Sequence, residues 1–415
     1  MAEVTVISST IVRPGNKDQP GREKIHLAPH DLHLLYLVYP QRGLLFPKPD
    51  PKTRFIPQLK AALSTALEIY FPFAGRLVKV DNHQDNTVSF YIDCDGSGAK
   101  FVHAKAESVS VDELLQSRGS VPHFMNLFFP ANNVESRDAL TSEILLALQV
   151  TEMKDGVFIS FGYNHMVADG CSFWSFFHTW SNIFRTGSGH NSQPLALKDW
   201  SLDKIDYPVR IPVSEMERPQ NCENPTKERV FHFSKKKISY LKEKANDETG
   251  SIDSKVSSLQ ALPSADMRRR LNPPLEKECF GNLAHLAVAT TTVGEVLDHG
   301  LGWTALQISK SVRSQTNESY NAFAENWVRN VEVPKIGVGS RMADNSLIVA
   351  SSPWFDVYGH DFGWGKPVAA RAGPSNGVGG LLVMFRGVEE GSIDVHAILT
   401  SSLWSDALAI IKNPC

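Results

Sequence analysis

The sequence predicts an α/β fold built from two halves of similar size, and three observations support this. Its 415 residues are 42% hydrophobic and 21% charged, which is the composition of a globular protein. At roughly 150 residues per domain, this length predicts two or three domains. Strand-like and helix-like segments alternate along the chain, and an aperiodic stretch from Arg185 to Thr226 divides it near the middle.

The first half, predicted to span 1–185, opens with a β-branched strand from Thr5 to Val12. A helix is predicted to begin at Ile56. Its apolar residues recur at the spacing of one helical face: Leu59, Leu63, Leu67 and Tyr70. Further apolar or alternating runs predict strands at Val88 to Ile92, Glu143 to Val150 and Gly156 to Tyr163, and a helix from Ser172 to Phe184.

A crossover linker is predicted at 186–228, because this stretch is rich in Gly, Ser, Asp and Pro and lacks sustained periodicity. The second half is predicted to span 229–415. It opens with a strand, Arg229 to Phe233, and a basic helix, Lys235 to Asn246. The inward face of this helix is predicted to carry Ile238, Leu241 and Ala245.

Several classes of function are unlikely from composition and charge alone. The formal net charge is −3 and no basic stripe is present, so we expect no nucleic-acid partner. No apolar run reaches the ~18 residues of a membrane span, and the N-terminus lacks the basic region of a secretory signal. The five cysteines are scattered without C-x-x-C spacing, which predicts reduced thiols in a cytoplasmic protein without a metal site.

The first candidate site is the H-x-x-x-D-G sequence at His165, Asp169 and Gly170, between the predicted strand at Gly156 to Tyr163 and the helix that follows. A strand-to-helix turn can hold a side chain in a cleft above a rigid backbone. Chance alone gives about one H-x-x-x-D match in a chain of this composition, so the pattern is weak by itself. A packed histidine beside a helix-capping aspartate is the alternative.

The second candidate is D-F-G-W-G at Asp361, Phe362, Gly363, Trp364 and Gly365, which chance would give about once in ten thousand chains. Two glycines around a tryptophan predict a tight loop whose ring packs on a neighbouring element. The carboxylate of Asp361 is expected to accept hydrogen bonds from N–H groups of the same loop. This predicts a structural role.

These two motifs, in this order, resemble those of the plant BAHD acyl-CoA-dependent acyltransferases, and the resemblance extends over nearly the whole chain. Further matching segments are Leu27 to Leu32 (LAPHDL), Gly43 to Pro49 (GLLFPKP), Tyr70 to Leu77 (YFPFAGRL), Ser257 to Ala261 (SSLQA), Arg268 to Pro274, Phe280 to Asn282 and Phe323 to Trp327 (FAENW). The resemblance implies two chloramphenicol-acetyltransferase-like αβ domains with an active-site channel at their interface, in a monomer.

The resemblance also implies a role for each motif residue. His165 is the expected general base, which takes a proton from the acceptor as it attacks a thioester, and imidazole suits this because its pKa is near ~6.5. Asp169 is expected to turn away from the channel and pair with Arg268 or Arg270, and Gly170 to let the backbone turn. Asn164 occupies a position where related carrier-protein condensation enzymes carry a second histidine, which argues against that branch.

Acyl-CoA is the implied co-substrate, and no tightly bound cofactor is expected. The resemblance places Lys255, Ser257 and Ser258 at the CoA phosphates, with a helix N-cap as the alternative role of the serines. Ser351 and Ser352 are candidate donors to the oxyanion of the tetrahedral intermediate, and an ordinary strand serine is the alternative for each.

Two features depart from the family pattern. Only the six residues Leu262 to Met267 lie between two motifs that the family separates by a helix, a loop and a strand, so the second domain is expected to lose core surface. Trp354 replaces an arginine of the common motif. This changes the acceptor or acyl group that fits if the side chain contacts substrate, and a neutral surface change is the alternative.

The sequence thus predicts acyl transfer from an acyl-CoA to a hydroxyl or amine of a small molecule in plant specialised metabolism, with His165 as base. Two alternatives stay open. One is a catalytically weak or inactive relative that binds metabolites, as the shortened segment suggests. The other is an enzyme repurposed for a reaction without CoA, such as a lyase reaction, in the same channel.

Overall fold

A computed structural model describes residues 3–15, 24–50, 52–116, 121–142, 144–187, 195–197, 202, 204–217, 226–249, 264–335, 346–350, 355–374, 379–400 and 404. The strands in these residues are β1 Thr5–Val12, β2 Lys24–His26, β3 Gln41–Pro47, β4 Arg76–Asn82, β5 Thr87–Asp93, β6 Ala99–Ala106, β7 Leu146–Met153, β8 Gly156–Tyr163, β9 Ile211–Pro212, β10 Thr226–Phe233, β11 Ser264–Asp266, β12 Ala284–Leu286, β13 Ile348–Ala350, β14 Ala369–Ala372, β15 Leu381–Arg386 and β16 Ile393–Thr400. The α-helices are α1 Pro29–Leu32, α2 Phe55–Ile69, α3 Val111–Gln116, α4 Ala139–Ser142, α5 Gly170–Thr186, α6 Lys235–Thr249, α7 Val293–Arg313 and α8 Asn317–Arg329.

The largest sheet of the described chain has six strands in the order β1-β6-β7-β8-β3-β14. Helices α2 and α5 pack against each other, and the apolar side chains of both join the core beneath this sheet. The strands predicted at Thr5 to Val12 and Gly156 to Tyr163 are confirmed as β1 and β8. In α2 the predicted inward leucines, Leu59, Leu63 and Leu67, are each 0% exposed. Tyr70 is buried as well, but it lies just after the helix as its C-cap.

One predicted strand is displaced. The strand expected at Glu143 to Val150 is β7, which begins at Leu146 and runs to Met153. Its first residue, Leu146, pairs with Tyr163, the last residue of β8. The described residues Ile144 and Leu145 therefore precede the paired part of β7, and the apolar pattern alone did not reveal this end point.

The second sheet has four strands in the order β10-β16-β15-β13. Its first strand, β10, begins at Thr226, where it pairs with Thr400 of β16, so the predicted boundary at residue 229 is three residues late. The predicted linker, 186–228, also contains a strand, because β9 pairs with β5 of the first half.

A further correction to the predicted halves concerns β14. It lies in the second half of the sequence, yet it pairs antiparallel with β3 at the edge of the first sheet, with Ala369 opposite Leu45 and Ala372 opposite Arg42. Residues 229–415 therefore do not form a self-contained domain. The free edge of β3 offers backbone hydrogen-bonding groups to β14. The sequence did not predict this pairing, because the two strands are far apart along the chain.

Two helices of the second half, α6 and α7, are poorly buried. Of the predicted inward residues of α6, Ala245 is buried, whereas Ile238 and Leu241 are partly exposed. Helix α7 exposes Val293 and Leu297, each 77% accessible, four residues apart on one face. Val293 and Leu297 therefore form an exposed apolar face on α7. None of the described helices is long and apolar enough to cross a membrane.

Candidate active site

The H-x-x-x-D sequence lies in the turn between β8, which ends at Tyr163, and α5, which begins at Gly170. Because β8 is buried along its whole length and lies between β7 and β3, this turn projects from the centre of the first sheet. The rigid strand and the start of a long helix fix both ends of the turn. The backbone that carries His165 is therefore well positioned.

Asn164 holds the turn from within, a role that the sequence did not reveal. It is fully buried, its backbone N–H donates to the carbonyl of Leu145, and its Oδ1 accepts from the backbone N–H of Met166 at 3.0 Å. Its Nδ2 donates to the carbonyl of Ser136 at 2.7 Å and to the Tyr39 hydroxyl at 3.2 Å. The side chain therefore ties the turn to two distant segments.

Replacing Asn164 by alanine is expected to destabilise the protein by about 1–3 kcal/mol, because buried groups at Ser136 and Met166 lose their partner. Urea unfolding of N164A measures this. Asn164→Asp is the matched control, since it keeps the acceptor for the Met166 N–H and loses the donor to Ser136. A stability equal to that of the parent protein would contradict the role assigned to Asn164.

His165 is partly buried, and its ring lies 5.9 Å, centroid to centroid, from that of Tyr163. Among the described residues, its buried Nδ1 has no hydrogen-bond partner. Burial lowers the pKa of His165, since it disfavours the imidazolium. The ring is therefore neutral at physiological pH and is able to accept a proton.

Asp169 caps the N-terminus of α5 and pairs with Arg268. Its Oδ1 accepts from the Ser172 N–H at 2.9 Å, and its Oδ2 from the Leu283 N–H at 3.0 Å. The Arg268 guanidinium donates to both oxygens, from Nη1 at 2.7 Å and from Nη2 at 3.0 Å. Burial acts to raise the pKa of Asp169, but Arg268 and the two backbone N–H groups outweigh it and hold the pKa below its ordinary value.

Arg268 is itself 0% exposed, and its pairing resolves the alternatives left by the sequence. Its other hydrogen bonds are to the Cys279 carbonyl, the Asp266 carboxylate, the Ser172 hydroxyl and the Gly281 carbonyl. Arg270 lies elsewhere and donates to the carbonyls of Val312 and Gln315 at the end of α7. Arg268 therefore joins the loop before β12 to the turn that carries His165.

Gly170 has a role other than the expected one. It is the first residue of α5 and is not among the described glycines with positive φ. A Cβ at this position would lie 3.0 Å from the ring of Phe355. What this position requires is space for the Phe355 ring rather than a turn of the backbone.

The D-F-G-W-G loop folds around Asp361, whose Oδ1 accepts from the N–H groups of Gly363 at 2.7 Å and Gly365 at 3.2 Å. Both glycines have positive φ, 92° and 118°, a conformation that favours glycine. Phe362 is buried, and Trp364 stacks on it with ring centroids 5.3 Å apart. The loop is compact and closed by its own hydrogen bonds.

The rings of this loop pack on the first half of the chain. Phe362 contacts three aromatic residues of α5 and one of β3, and Trp364 contacts α2 as well; the partners are Phe177, Trp180, Phe184, Phe46 and Phe55. The loop thus braces the helix whose N-terminus follows His165. The contacts of the loop with α5 are those expected of a structural role.

His360, next to this loop, was missed by the sequence analysis. Its ring stacks on that of Trp174 of α5, with a centroid distance of 5.3 Å and an interplanar angle of 14°. Burial, and to a lesser extent the nearby His178, lowers the pKa of His360 to about 3. It is therefore a neutral part of the aromatic contact. The other predicted site residues, Lys255, Ser257, Ser258, Ser351, Ser352 and Trp354, lie outside the described residues.

Comparison with known proteins identifies the family. The profile of the Transferase family matches residues 2–263 and 261–406. The chain belongs to this family, the BAHD acyltransferases. The two matched stretches meet at 261–263, next to the segment Leu262 to Met267 that the resemblance predicts to be shortened.

Relatives and solved structures agree with this assignment. An uncharacterized acetyltransferase of Arabidopsis thaliana is 58% identical over 99% of each chain, and the BAHD acyltransferase DCR of the same plant is 30% identical over 97% of this chain and 90% of its own. The structure of F. graminearum TRI101 complexed with coenzyme A and deoxynivalenol superposes with a TM-score of 0.72 at 15% identity, covering 93% of this chain and 97% of the other. The predicted two-domain chloramphenicol-acetyltransferase-like fold is thereby confirmed.

The alignment with the Arabidopsis acetyltransferase is longer than this chain. It spans 438 residues, more than the 415 of this chain, so this BAHD relative has residues that the chain lacks.

Proposed function

We propose that the protein transfers an acyl group from a CoA thioester to a hydroxyl or amine of a small plant metabolite, as a monomer in the cytoplasm. The family supports acyl transfer, and CoA in the TRI101 complex supports the nature of the donor. The observation that carries the proposal is a neutral, partly buried His165 in a turn held by Asn164 and by the Asp169–Arg268 pair.

In the proposed step, a ring nitrogen of His165 accepts the proton of the acceptor O–H or N–H as the acceptor attacks the thioester carbonyl. A tetrahedral intermediate forms, and its collapse breaks the carbon–sulfur bond. The imidazolium returns the proton to the departing thiolate, so the products are the ester or amide and free CoA. Both substrates meet in one site, and no acyl-enzyme is required.

Asp169 has no part in this proton transfer. Its described hydrogen bonds go to Arg268, Ser172 and Leu283, and none goes to His165. It serves as a positioning residue, because it fixes the N-terminus of α5 and hence the turn before it. A charge-relay chain to His165 is therefore not part of the mechanism.

Thermal unfolding of the full chain with acetyl-CoA, malonyl-CoA, 4-coumaroyl-CoA and free CoA tests donor binding. A ligand that binds only the folded state stabilises it by about 2.7 kcal/mol at 100 times its Kd, so we expect the transition temperature to rise with at least one thioester. The thioester that binds is then incubated with hydroxyl and amine acceptors, and release of the CoA thiol is followed. Shifts without acceptor-dependent thiol release would contradict the proposal.

A catalytically weak relative that retains binding is the second candidate, favoured by the exposed apolar face of α7. It predicts ligand-induced shifts with little or no thiol release. The same two measurements therefore separate the two candidates.

A further inference from the structure

Arg42 lies on β3 beside the turn that carries His165. In the sheet register it is opposite Phe161 of β8 and Ala372 of β14. Directly opposed residues share one face of a sheet, as do residues two apart on a strand. Arg42 therefore lies on the same face as Tyr163, whose ring neighbours that of His165.

The Arg42 guanidinium has few hydrogen-bond and ion-pair partners for a charged group that is partly buried. The side chain is partly buried, and Nη1 donates to the carbonyl of Gln41 at 2.7 Å. The guanidinium carbon lies 5.9 Å from the ring centroid of Phe385 on β15, so the group sits between the two sheets. Within the described part of the chain, no carboxylate lies within ion-pair distance of it.

Arg268 offers an instructive contrast. Its buried guanidinium is matched by the carboxylates of Asp169 and Asp266, at 2.7 and 2.9 Å. A buried cation with such partners is a structural element, whereas one without them loses hydration and gains no compensating charge. Burial of the Arg42 guanidinium therefore lowers the free energy of unfolding, unless an anion from outside the described chain pairs with it.

The electrostatics agree with this geometry. Burial lowers the pKa of Arg42 to about 10. The positive charge of Arg42 also adds to burial in lowering the pKa of His165, although Asp169 acts in the opposite direction. The direction of both pKa shifts therefore agrees with a desolvated cation on the face of the sheet that carries Tyr163.

We propose that Arg42 binds a carboxylate group of a substrate beside His165, which deepens the proposed function by naming a substrate class. A guanidinium pairs with a carboxylate through two parallel hydrogen bonds, and only Nη1 has a described partner. The phosphates of CoA are separated from its thioester by the pantetheine arm, so they are not the anion at His165. The carboxylate belongs either to a dicarboxylic acyl group or to a hydroxy- or amino-acid acceptor.

Binding to matched pairs of probes tests this proposal. The donor arm compares malonyl-CoA with butanoyl-CoA and succinyl-CoA with pentanoyl-CoA. The acceptor arm compares 4-hydroxybenzoate with 4-hydroxybenzamide and 3-hydroxybutanoate with 3-hydroxybutanamide. Dissociation constants are measured by calorimetry for the parent protein, R42Q and R42K. The control variant is R210Q, which removes a guanidinium that pairs with Asp85 on the surface.

In one arm, the parent protein is expected to bind the carboxylate probe about 10- to 100-fold more tightly than its neutral partner. R42Q is expected to lose this preference while binding the neutral probe as before, and R42K to retain part of it. R210Q is expected to behave as the parent. The arm that shows the preference identifies which substrate carries the carboxylate.

No preference in either arm, or a preference that survives in R42Q, would overturn the proposal. A large drop in the unfolding temperature of R42Q would also overturn it, since that result assigns Arg42 to the structure, whereas an unpaired cation is replaced without loss. Binding of butanoyl-CoA tests the proposed function. The difference in dissociation constant within each probe pair tests the role of Arg42. The proposed function and the role of Arg42 can therefore be contradicted separately.

Discussion

Replacing His165 by alanine is expected to reduce kcat/KM for acyl transfer by about 10²- to 10⁴-fold, the usual contribution of a general base. The imidazole is partly buried, and its Nδ1 has no described hydrogen-bond partner, so its loss removes a proton acceptor and breaks no described hydrogen bond. Thiol release at saturating thioester measures the loss. The unfolding temperature and the thioester-induced shift of H165A are expected to match those of the parent, and turnover equal to the parent's would contradict the role of base.

The pH dependence of the parent enzyme follows from the same residue. Protonation of His165 removes the base, and burial lowers its pKa below the ordinary value near ~6.5. The rate is therefore expected to be flat at neutral pH and to fall only as the pH drops through this lowered pKa, below pH ~6.5. An acidic limb with its midpoint above that value would contradict a neutral, desolvated base.

Replacing Asp169 by alanine is expected to destabilise the protein by about 3–5 kcal/mol, because it removes the buried partner of Arg268 and leaves this fully buried cation with only the partly exposed carboxylate of Asp266. It also removes the N-cap of α5 and the acceptor of the Leu283 N–H. Urea unfolding gives the free-energy difference. D85A, which breaks the half-exposed ion pair with Arg210, is the matched control and is expected to have little effect.

A second variant distinguishes the ion pair from the cap. D169A combined with Arg268→Met removes both charges, so the double variant is expected to recover part of the stability that D169A loses.

The stability of the parent protein is also expected to depend on pH through Asp169. The folded-state pKa of Asp169 lies below its ordinary value. Its contribution to stability is therefore complete above pH ~4 and is lost as the pH falls through the folded-state pKa. In the double-variant experiment, a stability below that of D169A would contradict an energetic role for the Asp169–Arg268 ion pair.

Local features of the site could be predicted from the sequence. The strand before His165 and the hydrogen bonds of Asp361 follow from short-range patterns, because side-chain alternation and glycine backbone preferences act over a few residues. The pairing of Asp169 was narrowed to two arginines but not to one. Arg268 and Arg270 are two residues apart, and only the path of the chain decides which of them is buried.

Features that depend on distant contacts could not be predicted. Nothing around Asn164 indicates that Ser136 and Tyr39 lie within hydrogen-bond distance of it. The position of Arg42 depends on β3 pairing with β8 and β14, which sequence periodicity does not specify. The spacing of apolar residues predicts that a face of a helix or strand is buried. It does not predict which other helix or strand packs against that face.

The pairing of β14 with β3 also bears on how the protein is synthesised. The ribosome makes β14 roughly 320 residues after β3, which takes some tens of seconds at roughly 5–20 residues per second. During this time the open edge of β3, including the apolar Leu44 and Leu45, is available to any neighbouring nascent chain. The edge of β3 therefore stays without its native partner until β14 has left the ribosome.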